Sequence, residues 1–120
     1  MTVAYCHCGD CKRWTGAPSP AFAAFAEGTL TATPPLGAAQ RFAAGVERWR
    51  CKACGSPLAA RFDYLPGQVY VPLGVLDQAA DMPPVVHCHA DQALPWLHDN
   101  DGLPREAASG RETLNAATGA

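Results

Sequence analysis

Apolar residues recur at every second position in several short stretches of the chain, and this is the period of a β-strand. In residues 68–76, QVYVPLGVL, the alternating positions are Val69, Val71, Leu73 and Val75. Side chains two residues apart lie on the same face of a strand, so these four can cover one side of a core. The periodicity along the chain is that of strands rather than helices, and it predicts a mainly β fold.

A short cysteine-containing loop separates two further strand-like stretches. ERWRC (47–51) and LAARFDY (58–64) flank the tight CKACGSP (51–57), and this arrangement predicts a β-hairpin. SPAFAAF (19–25) and PVVHCH (84–89) are predicted to form further short strands. Consecutive prolines between these stretches interrupt any long helix, because proline lacks the backbone N–H that a helix needs.

The composition fits one small folded domain followed by a tail. The chain has 120 residues, of which 48% are hydrophobic, and its 11 glycines and 11 prolines favour many turns. From Pro104 onward, PREAASGRETLNAATGA offers one Leu as its only large apolar residue, which is too little apolar surface to offset the entropy of ordering. We therefore predict a single domain over residues 1–104 and a flexible tail over residues 105–120.

Charge and hydropathy disfavour several classes of partner. The formal net charge of −2 argues against nonspecific nucleic-acid binding, which needs an excess of lysine and arginine. No run reaches the roughly 18 apolar residues that span a bilayer, and the start lacks the pattern of a secretory signal. We expect a cytoplasmic protein with no membrane partner. In that reducing compartment, clustered cysteines are metal ligands or redox groups more often than disulfides.

Three of the six cysteines lie within six positions of one another, in YCHCGDCKRWTGAP. Cys6 and Cys8 share one face if the segment is extended, and the CxxC spacing of Cys8 and Cys11 fits a tight turn at Gly9 and Asp10. Zinc binds thiolates at about 2.3 Å in a tetrahedron, so its ligands must converge from a small region. The spacing therefore predicts three of the four ligands of a zinc site from one short segment.

A second cysteine pair, Cys51 and Cys54, is followed directly by Gly55. A glycine at this position permits the left-handed backbone that turns amides toward thiolate sulfurs. A redox CxxC of the thioredoxin type precedes a helix, and Gly55, Ser56 and Pro57 open a helix poorly. The pair is thus typical of a metal knuckle rather than of a redox site or of two buried free thiols.

Five candidate ligands are one more than a single tetrahedral site takes. One possibility is a closed four-thiolate site made by Cys8, Cys11, Cys51 and Cys54, which leaves Cys6 unused. The other is two zinc sites, each with an incomplete ligand set from this chain. A closed site is structural, whereas three thiolates with an open fourth position can bind an exogenous thiol, lower its pKa and make it a nucleophile.

Several motifs together resemble a known family. CHCGDCKRWTGAP, CKACGSPL, VYVPLGVLD, PPVVHCHADQALPWL and DGLP occur in this order and resemble the glutathione-dependent formaldehyde-activating enzyme family, which shares its domain with centromere protein V. The resemblance runs from about residue 3 to residue 104. It implies a β-tent of short antiparallel sheets stapled by two zinc ions, and a carbon–sulfur lyase or synthase whose product is S-(hydroxymethyl)glutathione.

The resemblance also implies roles for the cysteines. Cys6, Cys8 and Cys11 would hold the catalytic zinc, while Cys51 and Cys54 would supply half of a structural zinc. Relatives usually begin with a strand whose CxC pair completes that second site, and the sequence before Cys6 has no such pair. We expect that the chain is truncated relative to the family, with Cys88 or a histidine as alternative ligands. The implied partners are a small-molecule thiol and an aldehyde, and the oligomeric state stays open.

Other residues are weaker candidates for the site. Arg13 is a candidate to bind a substrate carboxylate, although a solvated surface role is the simpler interpretation. His87 and His89, which share one face of the predicted strand, are candidates to line a substrate pocket, with packing or hydrogen bonding near a sheet edge as an equally good interpretation. His7 is expected to be a solvated loop residue, with a general-base role as the alternative. The competing hypothesis for the whole chain is a noncatalytic binding module stapled by one closed four-thiolate zinc, which has no use for Cys6.

Overall fold

The computed structural model describes residues 1–118, and residues 116–118 by their backbone alone. Seven strands form one sheet in the order β3-β4-β5-β6-β2-β1-β7. The strands are β1 Thr2–Cys6, β2 Ala21–Ala26, β3 Gln40–Phe42, β4 Val46–Arg50, β5 Pro57–Phe62, β6 Gln68–Pro72 and β7 Val86–Cys88. The prediction of a mainly β fold is confirmed.

The sheet is mixed, and this corrects the expectation of several antiparallel sheets. Every neighbouring pair is antiparallel except β1 and β7, which run parallel. A parallel pair needs a long connection, because the chain must return to the same end of the sheet. β6 runs in the same direction as β1, and residues 73–85 connect it to β7 past β2 and β1, with two short 3₁₀ turns at Leu73–Val75 and Ala79–Asp81.

The predicted strands are present with shifted ends. β4 and β5 pair as the predicted hairpin around the CKACGSP loop, β7 lies within the stretch predicted for it, and β2 extends one residue beyond its predicted stretch. The strand predicted over residues 68–76 ends at Pro72, since a proline cannot donate a hydrogen bond to a continuing ladder. β6 lies in the middle of the sheet, and its buried residues Gln68, Tyr70 and Val71 include both faces.

Helix α1, Gly9–Thr15, follows β1 where the sequence predicted only a tight turn. Cys8 caps its first turn, and Gly16 ends it in the left-handed conformation at φ 74°. The helix buries Trp14, whose ring stacks on Phe22 of β2 with centroids 5.9 Å apart. Packing of this large aromatic pair fixes α1 against the sheet next to the end of β1.

The segment after Pro104 differs from the predicted flexible tail. Its backbone pairs with β7, because His87 N donates to Pro104 O and Glu106 N donates to His87 O. Helix α2, Arg111–Thr118, then crosses the sheet and contacts β1 and β2. Leu114, the only large apolar residue of the segment, is 4% exposed in the core. Residues 119–120 of the predicted tail lie outside the described part of the chain.

Within the described residues, no helix has the length and apolar character needed to cross a membrane.

Candidate metal centre

Three thiols converge where β1 meets α1. Cys6 is the last residue of β1, Cys8 caps the helix and Cys11 lies in its first turn. The three Sγ atoms lie within 4.8 Å of one another. Cys11 N donates to Cys8 Sγ at 3.3 Å, which is the N-cap interaction that a serine or aspartate makes in other helices. The predicted cluster of Cys6, Cys8 and Cys11 is therefore present as a geometric unit.

Neighbouring strands hold the segment that carries these thiols. Cys6 pairs with Cys88 in the parallel register of β1 and β7, and Cys6 N donates to Pro20 O at 2.9 Å. His7 N donates to Cys88 O at 3.0 Å, one residue beyond the end of β1. The backbone on both sides of Cys6 is thus fixed by partners that are distant in sequence.

The thiols are coupled by hydrogen bonds and by burial. Hydrogen bonds from the thiols of Cys11 and Cys6 hold the pKa of Cys8 far below its usual value. The pKa of Cys11 is raised, because its hydrogen bonds with Cys6 and Cys8 and its burial favour the protonated form. The hydrogen bond between Cys6 and Cys11 acts to lower the pKa of Cys6. The hydrogen bond with Cys8 and burial act in the opposite direction and raise the pKa of Cys6 to about 12. Three sulfurs this close together are a donor set in which a thiophilic cation can replace the thiol protons.

No fourth ligand joins the cluster within the described residues. No other cysteine, histidine or carboxylate there has a ligand atom within 4.8 Å of all three sulfurs. The donor set suits zinc, since three sulfurs leave one tetrahedral position for a molecule from solution.

A cavity of about 190 Å³ lies against the thiols. Its wall is mainly apolar, with side chains that include Phe22, Val46, Phe62, Leu65 and Leu114. Polar groups enter from Asp10, Tyr64, His89 and Ser109, and Cys88 contributes a fourth thiol to the lining. A mostly apolar cavity with a few converging polar groups is the usual form of a small-molecule site.

A comparison with protein-family models matches residues 1–92 to the glutathione-dependent formaldehyde-activating enzyme. The match covers more than half of the chain and includes Cys6, Cys8, Cys11, Cys51 and Cys54. The chain belongs to this family. A comparison with curated proteins found no match.

The family match ends before the last part of the cavity. Ser109 and Leu114 line the cavity but lie beyond residue 92. Sequence reasoning missed both, since a polar segment with a single leucine gives no periodic signal. Gly110 is a partial sequence signal for a constrained backbone in this segment. In the structure it adopts φ 66°, and an added Cβ would lie 2.8 Å from Cys88 Sγ. The final segment therefore packs tightly against the thiol side of the sheet.

The three predicted substrate-binding residues take different positions. His89 lines the cavity, and its backbone adopts the left-handed conformation at φ 50°, which is uncommon for a residue with a side chain. His87 does not line the cavity, because it lies on the opposite face of β7 from Cys88. The Arg13 side chain is 81% exposed and lies 3.6 Å from the Asp10 carboxylate.

His7 is fully buried, so the expectation of a solvated loop residue was wrong. Its Nε2 lies 2.8 Å from Nδ1 of His87, and Nε2 of His87 lies 2.8 Å from a carboxylate oxygen of Asp101. Burial is the main cause that lowers the pKa of His7, and the neighbouring His87 lowers it further. The hydrogen bond from the Leu103 N–H is the main cause that lowers the pKa of the Asp101 carboxyl, and the hydrogen bond with His87 lowers it further. Asp99 also approaches, with its carboxylate 3.9 Å from His87 Nδ1.

The second cysteine pair lies in the β4–β5 hairpin loop. Gly55 adopts φ 78°, as the sequence predicted, and Gly55 N donates to Cys51 O at 2.8 Å. Cys54 is exposed, and its thiol lies 3.1 Å from the Ser56 hydroxyl, which lowers its pKa. Neither cysteine joins a group of three or more potential metal ligands in the described part of the chain. A zinc at Cys51 and Cys54 stays a prediction.

Proposed function

We propose that the protein is a zinc-dependent carbon–sulfur lyase or synthase that acts on a thiol–aldehyde adduct such as S-(hydroxymethyl)glutathione. One observation carries the proposal: Cys6, Cys8 and Cys11 converge at the wall of a cavity, and no fourth protein ligand joins them among the described residues. Membership of the glutathione-dependent formaldehyde-activating enzyme family supports the same substrate class.

Cys6, Cys8 and Cys11 would hold the ion. A zinc ion bound there would supply a Lewis-acidic position that stabilises an incoming thiol as its thiolate at neutral pH. The apolar side chains around that position exclude water, and this strengthens polar interactions inside the cavity. The chain itself would thus orient the reacting end of the adduct beside the three sulfurs.

Two cavity residues suit the proton transfer that the reaction needs. Cleavage of a hydroxymethyl thioether breaks the carbon–sulfur bond, leaves the electron pair on sulfur and removes the hydroxyl proton as the aldehyde forms. His89 lines the cavity and its ring can accept that proton. Burial raises the pKa of Tyr64 to about 12, so the Tyr64 hydroxyl keeps its proton at neutral pH and can donate a hydrogen bond to the aldehyde oxygen.

The cavity volume favours a small reacting group. About 190 Å³ is below the roughly 300–1,000 Å³ of sites that enclose a drug-sized ligand. We infer that the hydroxymethyl sulfur end enters the cavity, while the rest of a tripeptide thiol lies across its mouth. Asp10 and Tyr64 line the cavity and are both exposed, so they are the polar groups available at its mouth.

The deciding experiment compares Cys6→Ala with Cys88→Ala. Both thiols line the cavity, but only Cys6 belongs to the three-thiol cluster. An open catalytic site predicts that Cys6→Ala loses one zinc per chain and remains folded, while Cys88→Ala keeps its zinc. A closed site of Cys8, Cys11, Cys51 and Cys54, as in a binding module, predicts unchanged zinc in both variants.

Activity is tested by NMR exchange between formaldehyde and glutathione. Zinc-loaded protein should accelerate formation and breakdown of the adduct, and Cys6→Ala should not. Acceleration with another small thiol but not with glutathione would keep the lyase class and change the substrate. No acceleration by fully zinc-loaded protein with any thiol would refute the proposed function.

A further inference from the structure

The segment Cys6-His7-Cys8 sends its side chains to two different sides of the sheet. Cys6 and Cys8 line the cavity, whereas the His7 ring is 0% exposed and does not line it. His7 Nε2 meets His87 Nδ1 at 2.8 Å, although the two residues are 80 positions apart. A histidine between two proposed ligands is therefore joined to a strand that arrives much later in the chain.

A carboxylate at the far end sets the direction of every hydrogen bond in this series. A deprotonated carboxylate can only accept, so His87 Nε2 donates to Asp101 Oδ2 at 2.8 Å. A neutral His87 then has an acceptor at Nδ1, and His7 Nε2 must donate to it. His7 Nδ1 carries no hydrogen in this arrangement, and it is buried without a hydrogen-bond partner among the described residues.

Both ends of the series are fixed by other contacts. Asp101 also accepts a hydrogen bond from Leu103 N at 3.1 Å, which orients its carboxylate. The Tyr5 ring stacks on His87 with centroids 4.7 Å apart and planes 15° apart. These contacts hold the His87 ring in place, and the hydrogen bond ties the His7 ring to it.

We propose that the Asp101-His87-His7 series positions Cys6 and Cys8, so that the three thiols are held close together before a metal binds. The inference deepens the proposed function, because it concerns the ligands of the same metal centre. His7 lies between two of those ligands, so a displacement of the His7 backbone would move both of them. Residues that act through a ligand's surroundings typically change metal affinity by about 10–100-fold.

Simple packing would also explain a buried histidine, but it makes a different prediction. A packing role needs a side chain of suitable volume, whereas a positioning role needs a donor at the place of Nε2. Glutamine can place its amide nitrogen near that point, and leucine fills similar space without a donor. His7→Gln and His7→Leu therefore separate the two roles.

Asp101 provides a second matched pair that lies farther from the thiols. Asp101→Asn keeps an oxygen that accepts from His87 Nε2, whereas Asp101→Ala removes the acceptor. The Asp101 side chain is 37% exposed, so neither substitution leaves a buried cavity. This pair decides the question even if His7→Leu does not fold.

The measurements are made on the full chain with metal as the probe. Zinc affinity is obtained by competition with a chelator, and Co²⁺ binding is followed by its thiolate-to-metal absorption. Urea unfolding of each metal-free variant measures stability separately. We expect His7→Leu and Asp101→Ala to bind zinc about 10–100-fold more weakly with an altered Co²⁺ spectrum. His7→Gln and Asp101→Asn should stay within about threefold of the parent, well inside that range.

Wild-type metal affinity and spectrum in Asp101→Ala would overturn the inference. So would equal weakening by Asp101→Asn and Asp101→Ala, or lower stability of the metal-free variants without any change in affinity. A fully zinc-loaded parent protein that accelerates the exchange of formaldehyde with no small thiol, glutathione included, would refute the proposed function only. The affinity pattern would then still establish the positioning series, because it is read without any substrate.

Discussion

The two cysteine groups of this chain have the same CxxC spacing but different surroundings. Cys8 and Cys11 lie at the start of a helix beside Cys6, and all three thiols face a cavity. Cys51 and Cys54 lie in a hairpin loop, where the exposed Cys54 contacts Ser56 two residues away. The CxxC spacing brings two thiols together, while the neighbouring elements decide whether a third ligand reaches them.

Long-range contacts account for the difference. The segment around Cys6 is hydrogen-bonded to Pro20 and Cys88, and Cys11 packs in a core cluster that includes Trp14 and Leu114. The hairpin loop makes its described hydrogen bonds within itself and to the Arg50 side chain, which also donates to Trp14 O of α1 at 2.9 Å. The first group is therefore expected to respond to substitutions throughout the fold, and the second to changes in its own loop and at Arg50.

The largest expected effect is that of Cys8→Ser. Serine keeps the N-cap hydrogen bond to Cys11 N, so the helix should remain, but it removes one of the three clustered sulfurs. Zinc affinity of the cavity site should fall by more than about 100-fold, beyond the usual effect of residues outside the ligand shell. Chelator competition measures the loss, and circular dichroism checks the helix.

Cys54→Ser is the matched change in the other group. It should leave zinc and Co²⁺ binding at the cavity unchanged, because Cys54 does not join the three-thiol cluster. Loss of cavity metal in Cys54→Ser would mean that the two groups share one ion, and the contrast between them would be lost.

Leu114→Ala should have the next largest effect, through the core cluster that contains Cys11. The side chain is 4% exposed and packs in the same core cluster as Cys11, so its truncation should lower the free energy of unfolding by about 2–5 kcal/mol. Urea denaturation measures this, with the half-buried Leu94, which does not line the cavity, as the control in Leu94→Ala. Equal effects of the two substitutions would show that α2 adds little to the cavity wall.

Two glycine substitutions compare the groups through backbone strain. Both Gly55 and Gly110 have positive φ, and alanine in that conformation costs about 1–2 kcal/mol. A Cβ on Gly55 meets open space, whereas a Cβ on Gly110 would lie 2.8 Å from Cys88 Sγ. Thermal and urea unfolding should therefore show a larger loss of stability for Gly110→Ala. A larger loss for Gly55→Ala would contradict the tight packing at Cys88.

Arg13→Ala should have the smallest effect on stability. The side chain is 81% exposed and its ion pair with Asp10 is long, so the free energy of unfolding should change by no more than about 0.5 kcal/mol. Zinc affinity should also be unchanged. The substrate role predicted for Arg13 is tested on the same variant by steady-state kinetics, where a higher KM at unchanged stability would support it and an unchanged KM would remove it.

The sequence could predict those features that depend on local pattern. The β4–β5 hairpin and the left-handed Gly55 follow from alternation and from the chemistry of a tight turn, and both are present. The clustering of Cys6, Cys8 and Cys11 follows from their spacing in one segment, although the segment forms a helix rather than a simple turn.

Features that depend on partners far along the chain could not be predicted in this way. The burial of His7 requires His87, and their proximity requires the parallel pairing of β1 and β7. The order of the final segment depends on Leu114 reaching a cluster built by residues from α1, β2, β5 and β6. The composition and periodicity around His7 do not indicate its contact with His87, and those of the final segment do not indicate the contact of Leu114 with the core cluster.

The three-residue strand β7 keeps two chemically distinct compartments apart. His87 serves the buried imidazoles on one side, and Cys88 faces the thiols on the other. Because successive side chains alternate, a slip of one residue would exchange them, placing sulfur among the imidazoles and a ring among the thiols. β1 pairs with one edge of this strand, and residues 104–106 are hydrogen-bonded to the other edge. These contacts on both edges fix the register of β7. Insertion or deletion of a single residue beside β7 should therefore disrupt both the imidazole side and the thiol side of the strand.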